Sequence, residues 1–139
     1  MIMASIFDIA GSGMNAQSLR LNLVASNIAN ANTVSSTAAE AYKSRQPVFA
    51  AELNNAMNRH DSTSKVKVLG VVESWDSPVM EYAPNNPVAD ENGYIFKSNV
   101  NTVEEMANMM SASRSYQNNI EVLNTSKQMM LQTLKMGQG

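Results

Sequence analysis

The sequence predicts an α+β fold in which two long terminal helices pair as a coiled-coil-like hairpin around a small β-rich middle segment. Three observations carry this prediction. Near the start, Phe7, Met14, Leu21 and Ile28 recur at seven-residue spacing, with Ala10, Gln17, Val24 and Ala31 interleaved on a 3–4 rhythm, the pattern of a heptad seam. Near the end, Met109, Tyr116, Leu123 and Met130 form one such row, and Met106, Ser113, Ile120, Lys127 and Leu134 an adjacent one. Between them the composition changes: Val66, Val68, Val71 and Val72 make a β-branched run, and Pro78, Pro84 and Pro87 punctuate the residues after it.

In chain order, the first helix is expected over about 5–31. Ser5 with Asp8 can form a capping box, and Asn30, Asn32 and Thr33 supply a polar stop. At ~1.5 Å per residue it would run roughly 40 Å. Gly11 and Gly13 each cost about 1 kcal/mol relative to alanine in a helix interior, so the helix needs partners. Residues 32–46 and 54–65 are rich in Ser, Thr, Asn and Ala without periodicity and read as loops or conditionally ordered stretches. A small β unit comes next, with Lys65 to Val72 alternating at its start and an Asn92-Gly93 turn leading into Tyr94-Ile95-Phe96. The second helix is expected over about 103–136, capped by Thr102 with Glu105, with Glu104 at its positive end and Lys135 and Gly137 at its close. The chain thus divides into an axial helix over 1–33, a loop and β unit over 34–100, and a second axial helix over 101–139.

Composition narrows the function. At 139 residues, one compact unit is the default. Charged residues make up only 16%, against about 25% in ordinary globular chains, so something other than a charged solvent shell must cover the surface. A net charge of -2 gives no electrostatic footprint for nucleic acid or anionic lipid. The absence of cysteine excludes disulfides and thiolate chemistry. The opening residues lack a basic start and a continuous apolar run, so export would use a route without a cleaved signal peptide.

No constellation of catalytic residues emerges, and no cofactor, metal or small-molecule substrate is expected. His60 is the single histidine and has no neighbouring histidine or carboxylate pair. Asp90 to Gly93 fails the twelve-residue calcium pattern and reads as a hairpin turn. Gly11 and Gly13 come after no strand, so they do not form a phosphate loop.

The helix faces are more telling. Over residues 5–33 only Asp8 and Arg20 are charged, and the second helix is rich in Asn, Ser, Thr and Gln. Such side chains hydrogen-bond neighbours without the cost of burying an ion, which suits a helix surrounded by other helices. The seams admit two uses: pairing within one chain, or contact with other subunits. Eleven methionines are open to the same alternatives, since thioethers both fill cores and adapt to dissimilar partners. Arg114 and Tyr116 read either as interface anchors or as a surface arginine beside a core tyrosine. Trp75 is expected to seal the β unit, or, if exposed, to meet another subunit.

Several ordered segments resemble the flagellar rod and hook protein family. Ala25-Ser26-Asn27-Ile28-Ala29-Asn30-Ala31-Asn32-Thr33 is similar to its N-terminal signature. Asn86 to Tyr94, Val100 to Met106, Ser111 to Gln117, Glu121 to Thr125 and the Leu134 to Gln138 ending resemble the short proximal rod members. Residues 34–41 and 54–65 do not fit the pattern. The resemblance implies a non-catalytic axial subunit exported unfolded through the type III apparatus, self-associating in the rod, meeting other rod proteins and the junction with the membrane ring and export gate. On that basis the subunit interface is expected at Met14, Leu21, Val24, Ile28, Met109, Arg114, Tyr116, Ile120, Leu123, Met130 and Leu134. The alternatives are another short rod subunit, or a soluble helical adaptor or export chaperone.

Overall fold

The computed structural model describes residues 2–53 and 64–139. Helix α1 spans Ile2–Asn30; β1 (Val34–Ser35), β2 (Arg45–Leu53), β3 (Ser64–Glu73), β4 (Val79–Tyr82) and β5 (Tyr94–Lys97) come after it; helix α2 spans Thr102–Gly137. The expected architecture is therefore present: two long helices in mutual contact, with a β-rich middle. His60 and most of the second predicted loop lie outside the described residues.

The helices pair antiparallel. Gly13 faces Asn119, Arg20 Nη2 donates to Asn108 Oδ1 at 2.9 Å, and Asn27 meets Glu105. A Cβ built on Gly13 would lie 2.9 Å from Asn119 Nδ2, so this glycine's missing side chain is what lets α2 approach. Both predicted caps are displaced. α1 starts at Ile2, upstream of Ser5, because nothing in the apolar opening breaks the helix. α2 is capped by Asn101, whose side chain accepts from the backbone N–H of Val103 (3.1 Å) and Glu104 (3.4 Å). Glu105 is thereby free to turn inward.

The β segment differs from expectation in its pairing. The valine run and Tyr94–Phe96 belong to separate sheets: β2 and β3 form an antiparallel hairpin, while β1, β5 and β4 form a three-stranded sheet in that order. β2 starts inside the first predicted loop and runs on through residues given no element, because Pro47, Ala50 and Ala51 carry little strand signal of their own. It is held by register with β3, with a bulge at Val48/Phe49, and Pro47 is tolerated because a two-stranded sheet has only edges. The Asn-Gly turn is the end of a longer 83–93 loop. Asp90 Oδ1 accepts from the N–H groups of Asn92 (2.9 Å) and Tyr94 (2.8 Å), and Gly93 takes φ +81°.

The hairpin lies along α1. Lys65 Nζ meets Asp8 Oδ2 at 2.8 Å, and the backbone N–H of Val66 donates to Ser12 Oγ at 3.1 Å. Ser12 in turn donates to the carbonyl of Ile9 (2.8 Å), so one hydroxyl serves helix and strand together. The buried apolar side chains are small: Ala10, Ala16, Val24, Ala31, Ala41 and Ala112, with Ile95 the largest. The largest fully buried side chain is that of Asn27.

Candidate assembly surface

Asn27 sits where α1, the start of β2 and the first turn of α2 converge. Its Oδ1 accepts from Tyr42 Oη at 2.9 Å and from the Arg45 N–H at 3.0 Å. Its amide nitrogen donates to the Arg45 carbonyl (2.9 Å), to Glu105 Oε2 (3.1 Å) and, at the 3.4 Å limit, to Ser44 Oγ. Ser44 is tied onward, its N–H donating to Asn99 Oδ1 at 2.7 Å. A buried amide and a buried carboxylate are each costly alone, but every bond here satisfies one with another. Next to this hub, Arg20, Val24, Pro47, Phe49, Glu105 and Asn108 border a cavity of about 210 Å³.

The seam of α2 is shifted by one residue from the second predicted row. Glu105 and Ala112 are buried, Asn119 and Ser126 half-buried, and Met109, Tyr116, Leu123 and Met130 flank them half-buried. The row Met106, Ser113, Ile120, Lys127, Leu134 turns outward at both ends: Met106, Lys127 and Leu134 are exposed. On α1, Met14, Leu21 and Ile28 are half-buried and Val24 buried, whereas Arg114 on α2 is exposed beside half-buried Tyr116. Sequence reasoning missed Asn27 and Glu105 because a seam was sought among apolar residues. Their signal was the same seven-residue spacing, carried by polar side chains.

Trp75 is 100% exposed and seals nothing. The turn after β3, in which Ser74 Oγ donates to Asp76 Oδ2 (3.0 Å) and accepts from the Asp76 N–H (3.2 Å), carries the indole outward. The methionines divide likewise, Met109 and Met130 toward α1 and Met106, Met110, Met129 and Met136 outward.

The charges of the β segment are largely settled within the chain. Arg45 pairs with Glu73 (3.3 Å), Lys67 with Glu52 (3.4 Å) and Lys97 with Glu81. Exposed pairs of this kind contribute little to stability. Among the described residues no group of three or more His, Cys, Asp or Glu could hold a metal, and no helix is long and apolar enough to cross a membrane.

Two long antiparallel helices, pinned at one end by a polar hub and rich in uncharged polar residues on their outer faces, suit a structural subunit of the axial type. Comparison with known proteins agrees. Residues 7–35 match the family of flagella basal body rod proteins, and residues 91–136 match the C-terminal family of flagellar basal body rod FlgEFG proteins. The chain is 51% identical over 138 residues to the flagellar basal-body rod protein FlgC of Salmonella typhimurium (strain LT2) and to that of Escherichia coli O157:H7, covering 99% of this chain and 100% of each relative. It is 41% identical to the FlgC protein of Agrobacterium fabrum over 127 residues, covering 91% of this chain and 88% of the relative. The chain belongs to the FlgC family of flagellar basal-body rod proteins, and it is a structural, non-enzymatic component of that rod.

Proposed function

We propose that the chain builds the proximal part of the rod, with its terminal helices over 1–33 and 101–139 lying near the axis and the 34–100 segment facing outward. In that position it passes torque from the motor toward the hook, and its neighbours are other rod proteins, further copies of itself and the junction of membrane ring and export gate. Met14, Leu21, Val24, Ile28, Met109, Tyr116, Ile120, Leu123 and Met130 hold the helix pair in shape, while Arg114 and Leu134 reach other subunits. A core built largely of alanine makes an unfolded, export-competent form easy to reach.

One observation carries this reading. Val103, Met106, Met110, Leu131, Leu134 and Met136 are exposed along α2, among residues that are mostly uncharged and polar, with fewer charges than a solvated helix normally carries. Deleting the coding region in the native cell and imaging basal bodies by electron cryotomography tests it. Membrane rings without a rod, in cells that cannot swim, are expected; intact rods and normal swimming would overturn the assignment.

A further inference from the structure

Gly13 against Asn119 and Asn27 against Glu105 fix one antiparallel register, which sets Ile2 beside Met130. Residues 131–137 of α2 therefore run past the start of α1, by roughly 10 Å at ~1.5 Å per residue. All of them are exposed, Leu131 and Leu134 included. Charge along α2 is segregated. From Val122 onward its only charged side chains are Lys127 and Lys135, both exposed. At the opposite end Glu104 is exposed and joins no ion pair among the described residues. Beside Glu104, Val103, Met106 and Met110 form an apolar stripe, 74%, 57% and 67% exposed.

We propose that the overhanging end of α2 docks on this stripe at the start of α2 in a second copy of the chain, head to tail. A parallel overlap with Leu131 against Met106 and Leu134 against Met110 brings Lys127 within side-chain reach of Glu104. The carbonyl-rich end of the incoming helix then comes to rest near Arg114, the charge that such an end favours. Methionine adapts to the leucines it receives. The two surfaces differ, so the contact is heterologous and propagates instead of closing on itself. The proposal rests on the rod assignment and supplies a contact for it.

The chain has no cysteine, so introduced thiols report without background. Copies carrying Met106→Cys and Leu131→Cys, differently tagged, are expressed together in cells lacking the natural protein, and basal bodies from swimming cells are oxidised. A disulfide-linked dimer of the two copies is expected, well above the yield from Met106→Cys with Asn22→Cys on the exposed face of α1. Adding Glu104→Lys to the first copy lowers that yield about two- to fivefold, the range of an exposed ion pair, and Lys127→Glu in the second copy restores it. Met110→Cys with Leu134→Cys probes the same overlap if the first pair disturbs the rod. Linkage of the stripe cysteine to a different rod protein overturns the second copy as occupant. No linkage above the control overturns the stripe as an interface. The rod assignment is tested apart from this, by the loss of swimming in cells lacking the natural protein and its return with the variants, so the two ideas fail separately.

Discussion

The two ends of the helix pair are built on opposite terms. At the Asn27 end, an amide, a carboxylate, a tyrosine hydroxyl and the backbone of β2 are closed off from solvent and satisfy one another. At the other end, α2 continues through residues 131–137 past the first described residue of α1, with its leucines exposed. The first end fixes the chain's own geometry; the second contributes nothing to it. Position in the seam thus separates residues that make the subunit from residues available for joining it to others.

Substitutions at graded depths would break or sharpen that contrast. Asn27→Leu should cost the most, about 3 kcal/mol or more, because it leaves the buried Glu105 carboxylate and the Arg45 N–H without their partner. Urea unfolding of the purified chain, monitored by circular dichroism, measures it, and a loss under ~1 kcal/mol would show that the hub does not hold the helix pair. Gly13→Leu should cost about 1–3 kcal/mol by forcing Asn119 aside. At Gly11 nothing lies within 4 Å of an added Cβ, so Gly11→Ala should instead stabilise by about 0.5–1 kcal/mol; equal effects at the two glycines would show that α2 does not approach at Gly13. Asn101→Ala should cost ~1 kcal/mol as a lost cap, and Thr102→Ala clearly less; the reverse order would restore the cap read from sequence. Smallest in the isolated chain is Leu134→Asp, expected within about 0.5 kcal/mol of the natural protein in either direction yet abolishing swimming on soft agar. A large loss of stability there would mean that the overhang belongs to the fold.

The helices were legible because periodic apolar residues over some thirty positions leave little alternative. The phase of the seam was less so. Met106 and Ile120 make a more apolar row than Glu105, Ala112, Asn119 and Ser126, yet the second set faces α1. A glutamate can take that place only because Asn27, 78 positions away, receives it, and single-sequence periodicity holds no record of that partner. β2 was hidden for a related reason. Its strand character comes from register with β3, not from Pro47, Ala50 or Ala51. Family resemblance, by contrast, was carried by ordered polar positions such as Ser26-Asn27 and Asn86-Pro87. At Asn27 and Asn86 the structure gives such positions local work: Asn27 builds the hub, and Asn86 Oδ1 receives the Val88 N–H at 3.0 Å.

That the largest fully buried side chain is an amide also bears on how stability varies with temperature. Exposure of apolar surface is what raises heat capacity on unfolding, while polar exposure lowers it. Melting a core of alanines around Asn27 should therefore give an increment below the ~12–15 cal/mol/K per residue of ordinary domains, and a stability curve that is shallow and low over a broad range. The steep part of the temperature dependence then resides in the contacts between subunits, where the larger apolar side chains of α2 lose their water.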